Sequence, residues 1–178
     1  MGFKTKITTL FLGFGLVAGL ISAHGAQARS IRLNADLKAY LQKSLSPDSP
    51  KDIKLNGPTH VAVAIISGKS GPVWLAYVSG GSHCNHGCEL HFLEQHGHKI
   101  NDLGTSLRIK RPIVLLKTKT KGYSDLAVFF AGGGPKTGYV KLQFDGQHYP
   151  SDPSQLPLLT SLIEGGLIIN TDNDGEML

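Results

Sequence analysis

The sequence predicts an α+β fold that is mainly β: an antiparallel meander sheet with one N-terminal amphipathic helix. Three observations carry this expectation. Short runs rich in Val, Ile, Leu, Phe and Tyr recur from Val61 onward, each bounded by Gly, Pro, Asn, Asp or Ser. The connections between most of them are too short for a parallel crossover, which needs about a dozen residues or more. Apolar residues at helical spacing occur ahead of all of these runs.

In chain order, the first residues read as an export signal. Lys4 and Lys6 supply positive charge, Ile7 to Ile21 is almost wholly apolar, and Ala26-Gln27-Ala28 has the small-x-small form of a cleavage site, so cleavage is predicted after Ala28. The apolar run of 15 residues is short for a hydrocarbon core, which takes about 20. No cysteine lies near the cleavage site to carry a lipid. The expectation is a periplasmic or secreted protein without stable membrane insertion once the signal is removed. The predicted organisation is a signal peptide at 1–28, a helix and linker at 29–58, a β-rich domain at 59–169 and a polar, frayed tail at 170–178.

The 150 residues that follow Ala28 suffice for one domain with a single core. The whole chain carries a net charge of +5; without Lys4 and Lys6, 16 basic residues face 13 acidic ones, leaving +3. Part of the basicity therefore belongs to the leader, and the remainder is no nucleic-acid signature.

Asn34 is a suitable N-cap, and Leu37, Tyr40, Leu41 and Leu45 follow on one helical face until Ser46-Pro47 ends the run. Strands are predicted at 61–66, 73–79, 88–95, 113–118, 126–131 and 139–144. In the last of these Val140, Leu142 and Phe144 alternate with Lys141 and Gln143, and Asp145-Gly146 predicts a two-residue hairpin turn. From Pro150 the chain is turn-rich, then apolar from Leu156 to Ile169.

The chemistry concentrates at residues 83–98, which hold both cysteines and five of the eight histidines. In an oxidising space an even pair of thiols becomes a disulfide, so Cys84 and Cys88 are expected to pair around Gly87, closing a loop worth about 2 kcal/mol in chain entropy. The metal alternative uses His83, His86, His96 and His98 to hold Zn, Cu or Ni. An extended strand from 88 to 95 opposes it by placing His86 and His96 roughly 30 Å apart, at about 3.3 Å per residue. His91 reads as a strand-face residue beside Glu89 and Leu93, opposite Leu90 and Phe92. A second candidate is the basic row Lys117, Lys119 and Lys121, which recurs every second residue and would share one strand face toward an anionic partner. Lysines also guard exposed strand edges against unwanted pairing.

Other motifs fail. Gly132-Gly133-Gly134-Pro135-Lys136-Thr137 lacks the spacing of a phosphate-binding loop. Asn170, Asp172 and Asp174 have the rhythm of a calcium loop without its final glutamate. There is neither a G-x-S-x-G elbow nor an H-E-x-x-H run, and no enzyme activity is predicted.

The segment from Trp74 to Pro150 resembles a group of small exported bacterial proteins, mostly without an assigned function. The resemblance rests on Cys84 to Cys88 with Gly87, on Gly122-Tyr123-Ser124-Asp125-Leu126, on Gly132-Gly133-Gly134, and on Val140 to Gly146 followed by Tyr149-Pro150. It implies a compact extracytoplasmic β-rich domain with a disulfide and implies no activity. The resulting expectation is an exported, non-catalytic binding or inhibitory module without a cofactor, facing a protein or an anionic envelope component. Its working surface would be the loop 80–88 with His83 and His86, the Gly97 turn and the lysine row; the alternative is a histidine-based metal-binding protein of the periplasm.

Overall fold

The structure is a computed structural model that describes residues 31–45, 51, 54, 57–84, 86–131, 136–161, 164–171 and 175–178. The expected signal peptide, most of the linker, the glycine run 132–134, and Asp172 and Asp174 lie outside the described residues. The protein is mainly β. Helix α1 (Ala35–Ser44) precedes strands β1 (His60–Ser67), β2 (Pro72–Ser79), β3 (Cys88–His96), β4 (Lys99–Thr120), β5 (Tyr123–Ala131), β6 (Thr137–Leu142), β7 (Gly165–Ile169) and β8 (Glu176–Met177). The helix starts 35 residues into the chain, so it is internal to the full sequence and N-terminal only to a chain cut after Ala28.

All eight strands form one antiparallel sheet in the order β6-β5-β4-β3-β2-β1-β8, with β7 added on β4. The meander holds from β1 to β6. Its pivot is β4, whose 22 residues far exceed the predicted 113–118. The first half of β4 pairs with β3 and the second with β5 and β7, so one strand serves two ladders. Between them Arg108 adopts φ 61° and the register shifts between Lys110 and Ile113. Pro112 sits inside that shift, where its missing N–H interrupts no regular ladder. Strands that pass from one ladder to another through such irregularities curl a sheet around a core. Here the curl brings the ends of β1 and β5 together, with the Ser124 hydroxyl donating to the Ser67 carbonyl at 3.1 Å.

The concave interior is filled by alternate residues of β1 to β6, among them Leu75, Phe92, Ile113, Leu126 and Leu142. Phe92 stacks on Tyr149, ring centroids 3.9 Å apart. The Tyr149 hydroxyl donates to the Ser124 carbonyl at 2.8 Å, and burial, followed by the charge of Asp125, pushes that phenol up. On the outer face α1 lays Leu37, Leu41 and Leu45 over Val61, Val63, Ala76, Val78 and Leu93. Asn34 caps the helix by accepting from the Leu37 amide and ties it to the sheet by donating to Gln95.

Two turn expectations change. The predicted alternation in β6 holds, with Val140, Leu142 and Phe144 buried. After Asp145-Gly146, however, no regular strand returns along β6. The Asp145 carboxylate instead folds onto the amides of Gln147 and His148 at 2.7 and 2.8 Å, and the Tyr149 amide donates to the Leu103 carbonyl of β4. The tail expected to fray is docked: Glu176 and Met177 pair with β1, the Leu178 amide donates to Thr59, and the Glu176 carboxylate accepts from the Leu33 amide.

Candidate functional site

The β2–β3 connection is held at several points. The Gly81 amide donates to the Gly57 carbonyl and the His83 amide to the Gly80 carbonyl, each at 3.1 Å. Cys84 and Cys88 form the expected disulfide, their Cα atoms 4.1 Å apart. Gly87, at φ 142°, lies against the backbone of Arg108, where a Cβ would meet the Arg108 carbonyl carbon at 2.5 Å. Glycine is therefore required by close approach as well as by conformation.

His83 and His91 are both buried, and both aim a ring nitrogen at Glu89. His83 Nδ1 lies 3.3 Å from Glu89 Oε1, His91 Nε2 lies 3.0 Å from Glu89 Oε2, and Thr105 Oγ1 lies 3.0 Å from His91 Nδ1. The strand geometry explains the grouping. Glu89 and His91 alternate on one face of β3, and Thr105 is the cross-strand partner of His91. Burial would push the Glu89 carboxyl up, but the hydrogen bonds and charges of His91 and then His83 outweigh it and hold the group below the usual carboxylate range. The sequence reading placed His91 correctly on this face but missed Glu89 as the hub; the E-x-H spacing on a strand was the available signal.

The four histidines of the metal alternative are dispersed. His83 meets Glu89, His96 meets the buried Glu94 at 3.1 Å, and His98 meets Asp36 of α1 at 3.0 Å. His86 is exposed in the disulfide loop at φ 61°. The physical reason is the nine-residue extent of β3, about 30 Å at the usual rise. No group of three His, Cys, Asp or Glu side chains among the described residues is placed to hold one metal ion. The same distance parts loop 80–88 from the Gly97 turn, so the two do not share a working surface.

The lysine row is also divided. Lys117 pairs with Glu164 at 3.1 Å on the surface. Lys119 is exposed near the end of β4. Lys121 is not on the strand at all: it occupies the β4–β5 turn at φ 53° and donates to the Asp145 carbonyl. Between them Thr118 turns to the buried Asp125, which also holds Lys141 at 2.9 Å. Burial raises the Asp125 carboxyl, while hydrogen bonds from Thr118 and Lys141 lower it by more.

Lys121 belongs instead to a cleft that sequence reasoning missed, of about 750 Å³, at the end of the sheet remote from the disulfide. Three turns build it. The β1–β2 turn brings Lys69, the β4–β5 turn brings Lys121 and Gly122, and the turn after β6 brings Gly146 and Gln147, while Asn101 and Leu103 come from β4. Tyr123 and Phe144 form the floor with Leu103; their rings touch at 4.1 Å and are only 7% and 5% exposed. The Tyr123 hydroxyl donates to Glu94 at 3.3 Å, and burial and then the charge of Glu94 push the phenol up. The walls carry two ammonium groups and two side-chain amides, and no carboxylate lines them. Only the folded turns assemble this set, since Lys69 and Gln147 are 78 positions apart.

No helix among the described residues is long and apolar enough to cross a membrane. In comparisons with known proteins, no family model, no curated protein and no solved structure matches the chain.

Proposed function

We propose that this chain is an exported, non-catalytic binding module whose recognition surface is the cleft between Lys69 and Lys121, and whose partner is an anionic component of the cell envelope. The observation that carries the reading is the lining: ammonium groups from two separate turns, with no carboxylate, around about 750 Å³. That volume suits a small ligand or one end of a polymer. Cations that converge on an open cleft raise the local concentration of anions and speed their capture. Because the turns are tied to the sheet before a ligand arrives, little ordering entropy opposes binding.

Export is supported by the signal-like sequence of residues 1–28 together with the Cys84–Cys88 disulfide, since paired thiols persist in oxidising compartments. The disulfide loop then has a structural part, stapling the far end of the β2–β3 hairpin with Glu89 and its two histidines.

Two measurements test the proposal. The intact mass of protein recovered from the producing cell should correspond to an N-terminus at Arg29 with both cysteines oxidised. The purified protein should be retained on immobilised dextran sulfate but not on uncharged dextran, and should elute as salt rises. Lys69→Gln with Lys121→Gln should abolish most of that retention, whereas Lys43→Gln with Lys110→Gln, which removes equal charge elsewhere, should not. Equal retention of the two double variants would overturn the assignment of the cleft.

A further inference from the structure

We infer that the ligand of the Lys69–Lys121 cleft is an acidic saccharide: a sugar unit bearing a carboxylate or phosphate, with its ring over the Tyr123–Phe144 floor. This rests on the binding-module reading and narrows it from any anion to one class of ligand.

The cleft is larger and more varied than a simple anion requires. Lys69 and Lys121 account for the charge. Asn101 and Gln147, both exposed on the walls, add side-chain amides that donate and accept at once. Such amides match hydroxyl groups, which also do both, better than they match a phosphate that only accepts. Beneath them, Leu103, Tyr123 and Phe144 supply a small apolar floor for the C–H face of a pyranose. Gly122 at φ 88° and Gly146 at φ 115° carry no side chain at the rim, so a bulky ring can approach. At Gly146 a Cβ would come within 3.0 Å of the Lys121 ammonium, and at Gly122 within 3.2 Å of the Lys69 side chain. The two glycines thus give both lysines the room in which they lie.

The same features disfavour other anions. A nucleotide base needs a broad exposed aromatic face for stacking, and Tyr123 and Phe144 are almost fully buried, leaving only a small apolar patch. An acyl chain needs a deep apolar channel, whereas the exposed walls here are polar. The neighbouring carboxylates are occupied as well: Asp145 accepts from two backbone amides of its own turn, and Glu94 lies under Tyr123, bonded to its hydroxyl and to His96. Neither carboxylate is among the residues that line the cleft, although the charge of the exposed Asp145 interacts with that of Lys121.

The test titrates the oxidised protein, as recovered from the producing cell, with digalacturonate, glucose 6-phosphate, maltose and inorganic phosphate, following backbone amide shifts by NMR. The expected result is saturable binding of at least one acidic sugar, at least tenfold tighter than maltose and inorganic phosphate. The shifts should centre on residues 69, 101, 121–123 and 146–147. Which acidic sugar binds tells carboxylate from phosphate recognition. Lys69→Gln with Lys121→Gln should weaken the acidic sugar at least tenfold, and Asn101→Ala with Gln147→Ala should reduce its advantage over inorganic phosphate. Inorganic phosphate binding as tightly as the sugars overturns the saccharide inference and leaves the anion-binding reading standing. Shifts that centre elsewhere, or no binding by any of the four probes, overturn both. Because the decisive map is made on the unsubstituted chain, a variant that fails to fold does not blunt the test.

Discussion

Replacing Glu89 by Gln separates charge from shape at the centre of the His83–Glu89–His91 group. A glutamine fills the same space and can still accept one hydrogen bond, but it cannot accept from both histidines as a carboxylate does. What is lost is one charge-assisted hydrogen bond and the carboxylate charge. With Glu89 one quarter exposed, at 24%, that amounts to about 1–2 kcal/mol, or about 2–8 °C in the melting midpoint of a domain this size. The pH dependence is the sharper signature. The folded carboxyl lies below its ordinary value of 4.5, so its contribution to stability is fully present above that value and is lost as pH falls through the lowered folded value. Below that point wild-type Glu89 is protonated and electrically equivalent to the variant. Urea unfolding followed by circular dichroism, started at neutral pH and carried well into acid, should show a gap between the two proteins that holds above the carboxyl's ordinary value and closes as the pH falls through its lowered folded value. A gap that stays constant over the whole range would refute the argument, because it would place the loss in packing rather than charge.

Three further outcomes follow from other parts of the fold. Leu41→Ala removes a fully buried side chain between α1 and the outer face of the sheet, and chemical denaturation should register a loss of about 2–5 kcal/mol. Gly87→Ala drives a Cβ into the Arg108 backbone at a φ of 142°; a loss of about 1–3 kcal/mol is expected, with faster amide exchange in residues 80–88 than elsewhere by mass spectrometry. Asp125→Ala leaves the Lys141 ammonium and the Thr118 hydroxyl without their buried acceptor. Thermal melts at pH 7 should show a loss of about 3–5 kcal/mol, partly recovered when Lys141→Met is added.

The helix, the meander and the first three strands were legible because each is encoded locally. Asn34 caps, Leu37 and Leu41 repeat at helical spacing, and β1 to β3 are apolar runs closed by turn residues. The first half of β4 escaped because Asn101, Asp102 and Gly104 depress local strand propensity and Pro112 interrupts the run. Pairing with β3, and the register shift that accommodates Pro112, override both. The tail misled in the opposite sense. Its polar composition suggested fraying, yet Glu176 accepts from the Leu33 amide and the backbone pairs with β1, contacts that span more than 100 residues. The disulfide followed from two cysteines and their presumed compartment. The cleft could not follow from any window of sequence, since its lysines stand 52 positions apart and meet only when the sheet has curled.

That curling also decides where the surplus positive charge is felt. Each described carboxylate is engaged within the fold. Asp36 meets His98, Glu89 two histidines, Glu94 His96 and Tyr123, Asp102 Tyr40, Asp125 Lys141, Asp145 its own turn, Asp152 Arg108, Glu164 Lys117 and Glu176 the Leu33 amide. Much of the acid is therefore spent on histidines, hydroxyls and amides rather than on lysines. Lys69 has no acidic partner among the described residues, and Lys121 donates to the Asp145 backbone carbonyl, with the Asp145 carboxylate near enough for the two charges to interact without an ion-pair contact. A modest net charge of +5 would be dilute if spread over the surface, and salt screens it beyond about 10 Å. Two ammonium groups lining one cleft lie within that distance of anything the cleft would hold. The histidine-rich end looks the more reactive in the sequence, but its imidazoles are each committed to a carboxylate or hydroxyl wherever they are buried in β3 and its loop. The anion-binding proposal accordingly rests on the opposite end, where Lys121, already marked by the basic row, meets Lys69, whose sequence neighbours gave no sign of it.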